Sequence, residues 1–278
     1  LSSNTFSVQP FFLERDTKKI FCIAFVPQAI VKSQKINGVV VVPPFAEEMN
    51  RSRHLFTRIA RRLAESGSIV LLLDLYGTGD SGGDFADAGW EDWKSDILAG
   101  IQWLKEQGAN SIDMLAMRAG CLLGTEVASE TDIRKLVMWQ PVLDGRTFLT
   151  QFFRLKIAAN MTSENRELST TKAIFELIES GTDVEIAGYQ LSSSLVGPMS
   201  DAKLAGNLEQ LDVDICWCEL IADEGREPPL MNRKLFEHLA STGKKIQFQK
   251  IVGPPFWGAT ELVEAPKLID VSVCILSS

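Results

Sequence analysis

The sequence predicts an α/β protein, a mostly parallel sheet covered by helices on both faces, with a helical cap inserted after the sixth strand. Three observations predict it. Behind an opening hairpin, strand-length apolar runs alternate with amphipathic helical stretches. The alternation stops between 148 and 207 and then resumes. The 278 residues are 45% hydrophobic and 23% charged, enough to bury one sizeable core and too apolar for a disordered chain.

Taken in order, 6–13 and 20–26 are apolar runs around the polar turn Arg15-Asp16-Thr17-Lys18, as in a hairpin. Strands are expected at 38–42, 68–74, 112–117 and 135–139, and helices at 51–66, 90–107 and 119–128. Gly108 closes the second of these helices. Helical patterns at 152–159 and 170–179, joined by polar stretches, mark the cap. The core then completes itself with a strand at 213–221, a helix at 229–241, a strand at 245–252 and a last helix from Glu261 or Pro266. This order of elements is that of the α/β-hydrolase fold, with its core at 1–147 and 208–278 and its cap at 148–207.

Charge and cysteine usage narrow the partners. A formal net charge of −8 repels phosphate backbones, so no nucleic acid is expected. No apolar run approaches the roughly 20 residues of a membrane span. The opening Leu1-Ser2-Ser3-Asn4 lacks a basic, then apolar, leader pattern, so a cytoplasmic protein is expected. Five cysteines spread through apolar segments read as buried thiols. Cys216 and Cys218 share a strand face, but no second pair with ligand spacing completes a metal site, and no cofactor is implied.

In an open parallel sheet, ligands bind at the carboxyl ends of the strands, so the turns there carry the chemistry. After the third strand, Pro43-Pro44-Phe45-Ala46 stands where a hydrolase donates a backbone N–H to an oxyanion. Proline has no N–H, leaving Phe45 or Ala46 as donor, with Ala119 as the second. Beyond that turn, Arg51 and Arg53 oppose the helix dipole unless Glu47 and Glu48 compensate at the site mouth.

The loop Gly77-Thr78-Gly79-Asp80-Ser81-Gly82-Gly83 spells G-x-S-x-G and a dinucleotide fingerprint, yet 84–89 separate it from the next helix, so neither context is met. Asp80 and Ser81 remain as pocket-lining candidates.

The nucleophile elbow should follow the fifth strand. There the chain reads Ala116-Met117-Arg118-Ala119-Gly120, and a permanently protonated guanidinium cannot attack a carbonyl. Cys121 lies further on, inside the helix. The turn after the last strand, where a general base belongs, holds Phe256 and Trp257 and no histidine. His54 and His238 lie on helices elsewhere; only His54 is near the oxyanion turn. The acid position survives as Asp223 or Glu224. A triad without nucleophile and base does not perform ordinary ester hydrolysis. Arg118 and the amides favour a small anionic or acylated ligand, unless Asp223, Glu224, Glu47 or Asp80 pairs with the guanidinium.

The runs Pro43-Pro44-Phe45-Ala46-Glu47-Glu48-Met49-Asn50-Arg51-Ser52-Arg53, Asp74-Leu75-Tyr76-Gly77-Thr78-Gly79-Asp80-Ser81-Gly82 and Trp90-Glu91-Asp92-Trp93-Lys94-Ser95-Asp96 closely resemble the exosortase A system-associated hydrolase family, type 2. The likeness continues through Arg118-Ala119-Gly120, Trp139-Gln140-Pro141-Val142-Leu143-Asp144-Gly145-Arg146 and Ala187-Gly188-Tyr189, from about residue 10 to 265. It implies an α/β-hydrolase of bacteria with exosortase and PEP-CTERM sorting, commonly beside exopolysaccharide genes, with Arg at the elbow as the family pattern. Two readings follow. One is a hydrolase or acyltransferase of unusual mechanism, with water activated by Glu47, Glu48 or Asp223. The other is a catalytically silent scaffold that binds an anionic ligand or a protein partner.

Overall fold

The computed structural model describes residues 6–28, 35–160, 170–244 and 246–278. Leu1-Ser2-Ser3-Asn4, the stretch 161–169 in the expected cap, and Lys245 at the start of an expected strand lie outside the described residues. The chain opens with the hairpin β1 (Phe6–Arg15) and β2 (Lys18–Pro27), then runs β3 (Asn37–Val42), α1 (Glu47–Glu65), β4 (Ile69–Leu73), α2 (Trp90–Glu106), β5 (Ser111–Met117), α3 (Gly120–Glu130) and β6 (Lys135–Trp139). Between this β6 and the next core strand lie α4 (Gly145–Asn160), α5 (Thr171–Glu179), a small hairpin of β7 (Val184–Ile186) and β8 (Tyr189–Leu191), α6 (Ser193–Asp201) and α7 (Leu204–Gln210). The core closes with β9 (Asp214–Ile221), α8 (Leu230–Ser241), β10 (Ile246–Val252) and α9 (Pro266–Leu276).

The eight core strands lie in the order β1-β2-β4-β3-β5-β6-β9-β10, with β2 antiparallel to both β1 and β4 and the remaining pairs parallel. Burial on both faces explains the unbroken apolar runs of the strands. Val40 and Val42 pack in the layer that holds Trp93, Ile97, Leu122 and Val127 of α2 and α3. Val39 and Val41 pack in the opposite layer with Leu55 and Ile59 of α1 and Leu268 of α9. This is the α/β-hydrolase fold.

Helix α1 begins at Glu47, earlier than the expected 51. Pro43 and Pro44 end β3, Ala46 turns the chain at φ 52°, and Glu47 and Glu48 then fill the first turn, where carboxylates oppose the positive helix end. The segment after β6 opens with α4 at Gly145, where a Cβ would stand 1.7 Å from the Met199 carbonyl oxygen. Its hairpin and α7 escape a periodicity reading because each is too short to complete a pattern, and α6 escapes it because Gly197 and Pro198 interrupt the helical signal.

One buried carboxylate sits in the sheet without a cation. Glu219 of β9 accepts hydrogen bonds from Gln140 Nε2 (3.0 Å), Trp217 Nε1 (2.8 Å) and Asn232 Nδ2 (3.0 Å). Gln140, just past the end of β6, also takes the Leu220 N–H on its Oε1 at 2.7 Å, replacing the strand partner that β6 no longer offers. Removing Glu219 orphans two buried donors, on Trp217 and Asn232, and a half-buried one on Gln140. Glu219→Ala is therefore expected to cost about 3 kcal/mol, read as a lower urea midpoint at unchanged m-value; a change under about 0.5 kcal/mol contradicts this account.

Candidate active site

Three neighbouring strands end in strained turns. Ala46 after β3, Arg118 after β5 and Gln140 after β6 have φ of 52°, 54° and 45°, a region L-residues rarely adopt. At Arg118 the strain is held from both sides. Its N–H donates to Trp139 O at 2.9 Å, and its carbonyl accepts from Cys121 N at 3.1 Å and Val142 N at 3.2 Å. Gly120 is required behind it, because a Cβ there would lie 2.3 Å from the Pro43 carbonyl oxygen. The backbone is thus that of a nucleophile elbow, with a cation as its side chain.

The cation is closed on Glu48. Arg118 Nε lies 3.2 and 3.3 Å from the two Glu48 oxygens, and Nη2 lies 3.2 Å from Oε1. Trp257 covers the guanidinium at 5.0 Å and Phe148 lies 5.9 Å away. In place of the expected partners Asp223, Glu224, Glu47 or Asp80, the first turn of α1 supplies the counter-charge, since Ala46 aims that helix start at the elbow. Burial pushes the Glu48 carboxyl above its ordinary range, and Arg118 pulls it partly back. Arg118 Nη1 has no acceptor among the described residues.

Other candidates fall elsewhere. Asp223 and Glu224 are exposed on the loop beyond β9, where Asp223 Oδ1 accepts the Gly225 N–H at 3.1 Å and no contact reaches Arg118. Glu47 stands at the cavity mouth, 3.6 Å from Arg51 Nε and accepting from Tyr189 Oη at 3.2 Å. Burial and the Glu47 charge push the Tyr189 phenol up to about 12. Asp80 is exposed. Ser81 donates to Asp74 O at 2.5 Å and accepts from Phe21 N at 2.8 Å, so its hydroxyl fastens the loop and does not line a pocket.

Phe256 is a core residue packed on Trp139, whereas Trp257 does reach the site. His54 faces Val263, with Nε2 3.0 Å from its carbonyl oxygen, and His238 pairs with Glu209 at 2.9 Å; neither approaches the elbow. Cys121 is fully buried in α3 and burial raises its thiol pKa. Cys216 and Cys218 are buried with sulfurs 3.9 Å apart, and among the described residues no cluster has metal-binding composition.

Two cavities flank the elbow. The first, about 400 Å³, is lined by Ala46, Ala119 and Gly120 and by apolar residues such as Trp90, Trp93 and Leu123. The N–H groups of Ala46 and Ala119 have no acceptor among the described residues. No acidic or basic side chain lines this cavity. The second, about 380 Å³, contains Arg118, Glu48, Glu47, Arg51, Phe148 and Trp257. Phe45 and Tyr189 form walls of both. Phe45 serves as a partition, its ring meeting Phe85 and Trp93 on one side and Phe148 and Phe152 on the other. Tyr189 was outside the expected site set because its hairpin gives no sequence pattern.

Sheet order and elbow together define a protein of the α/β-hydrolase fold. Est1E from Butyrivibrio proteoclasticus, solved with ferulic acid bound, superposes at a TM-score of 0.65 with 16% identity over 96% of each chain. Proline iminopeptidase from Mycobacterium smegmatis superposes at 0.59 with 13% identity over 96% of this chain and 97% of its own. The chain belongs to the acyl transferase family, whose model matches residues 13–181. An acyl transferase from Photobacterium leiognathi is 29% identical over 119 residues, 42% of this chain and 36% of the relative. One from Shewanella hanedai is 28% identical over 114 residues, 41% of this chain and 36% of its own. The chain thus spans about a third of the length of these curated relatives.

Two measurements check the ion pair. Arg118→Met or Glu48→Met alone leaves a partly buried charge uncompensated and is expected to cost about 2 kcal/mol or more, while the double variant costs less than the sum. Additive costs in urea melts would dissolve the coupling. In a carboxyl NMR titration, Glu48 is expected to titrate above an ordinary glutamate, and higher still in Arg118→Met. Because the folded-state value is raised, stability gained by protonated Glu48 is present at low pH and lost as pH rises through that value. A Glu48 titration at or below the ordinary range contradicts the burial account.

Proposed function

We propose that this chain is a catalytically silent acyl transferase scaffold that holds the carbonyl of an acylated ligand in the neutral cavity, without forming an acyl–enzyme at residue 118. One observation carries the reading: where nucleophile and base would meet, Arg118 is closed on Glu48 beneath Trp257. Neither an always-charged guanidinium nor an indole accepts a proton from an attacking hydroxyl. What supports acyl recognition is the family membership and the pair of unpartnered amides at Ala46 and Ala119 lining an apolar space. Pairing with Glu48 removes the net charge that favoured an anion, so a neutral acyl ligand takes its place as the expected occupant.

A second reading is kept by Glu48 itself. A carboxyl held above its ordinary range is a better general base, and a hydrolase of unusual mechanism would use it to activate water. Residues 148–207 are proposed as a cap over either site. The motif resemblance to exosortase-associated hydrolases supports placing the protein in the cytoplasm of cells with that sorting system. No helix among the described residues is long and apolar enough to cross a membrane.

The purified protein is expected to leave p-nitrophenyl butyrate intact, while n-octanamide raises its thermal midpoint. Leu123→Phe, which intrudes on the neutral cavity, should reduce that shift in a protein whose own melt remains cooperative. Ester turnover lost in Glu48→Gln and kept in Ser81→Ala would replace this reading with the second.

A further inference from the structure

We infer that the second cavity, walled by the Arg118–Glu48 pair, is a subsite for the neutral, polar head of an acyl conjugate whose chain lies in the first; this rests on the acyl-cavity reading above. Each cavity falls in the range of small-molecule sites, roughly 300–1,000 Å³. They meet on either side of the elbow. Ala119 lines the first with a free backbone N–H, while the side chain of the adjoining Arg118 lines the second. A ligand whose carbonyl meets that amide reaches the second cavity by passing Phe45 and Tyr189, the walls that the two spaces share. Phe45 and Tyr189 line both spaces.

The chemistry of the head follows from charge and hydrogen-bonding capacity. Glu47 and Glu48 are matched by Arg51 and Arg118, so the walls carry no net charge. An anionic or cationic head meets its like sign and is desolvated without full compensation. A neutral head is not. Arg118 Nη1 keeps N–H donors without an acceptor among the described residues, and Glu48 Oε2 is engaged only at 3.3 Å, so the pair presents a donor and an acceptor side by side. Phe148 and Trp257 add flat apolar walls. The complement is a planar group with one carbonyl acceptor and one N–H donor, an amide. Arg118 thus becomes a head-group binding residue at the position where its superfamily places an attacking oxygen.

The test is a calorimetric series on the intact chain using n-octanamide, N-octanoylglycinamide, N-octanoylglycine and N-octanoylethylenediamine. N-octanoylglycinamide is expected to bind about tenfold tighter than n-octanamide, since a hydrogen bond to a charged group is worth roughly 1.5–3 kcal/mol. The anionic and cationic conjugates should gain less. In the double variant Arg118→Met with Glu48→Met, the ratio between glycinamide conjugate and octanamide should fall towards one. The wild-type series decides the matter even where that variant fails to fold. If octanamide binds but the glycinamide head adds nothing, or if the anionic head gains most, the subsite is wrong and the acyl cavity stands. If octanamide itself fails to bind, the acyl-cavity reading falls first, and this one with it.

Discussion

The ion pair between Arg118 and Glu48 is the contact on which the site depends. It joins the tip of the elbow to the first turn of α1, two segments that the sheet brings together from the ends of β5 and β3. A guanidinium on a strained turn needs a counter-charge that cannot drift away, and a carboxylate in a helix's first turn, held by the helix dipole, meets that need. The partner sits too deep to be an ordinary surface ion pair, and burial alone would drive its carboxyl towards the protonated form. The Arg118 charge opposes that drive.

Around this contact the strand-end turns keep a strained, tightly packed geometry. The left-handed turns at Ala46 and Arg118, the close packing at Gly120 and the unpartnered amides are features that cost stability. Outside the site, the segment after β10 is fastened to α1: Arg51 donates to the Ala259 carbonyl oxygen at 2.6 Å, and Arg58 reaches Glu264 at 2.6 Å. That fastening fixes Trp257 over Arg118.

Much of the architecture was legible in the residues. Strands buried on both faces appear as unbroken runs such as Val39–Val42, and amphipathic helices such as α1 declare themselves by period, so element order and fold class follow. The missing nucleophile and base were equally plain at Arg118 and Trp257, because an elbow and a loop are defined by their place after a strand. Short elements were not legible: β7, β8 and α7 are each too brief to repeat a pattern. Nor was the choice among carboxylates. Asp223, Glu224, Glu47, Glu48 and Asp80 are alike in sequence, and the dihedral at Ala46 selects Glu48.

The sequence by itself determined the α/β-hydrolase order of strands and helices and that Arg118 and Trp257 stand where a nucleophile and a base are expected, because periodicity and side-chain identity are local properties. The tertiary structure alone decided that Arg118 is neutralised, that Ser81 and Phe256 are structural, and that Phe45 divides two cavities. Those are facts about distance between segments far apart in the chain. Distance between them is set by how the sheet twists and how its strand-end turns are aimed.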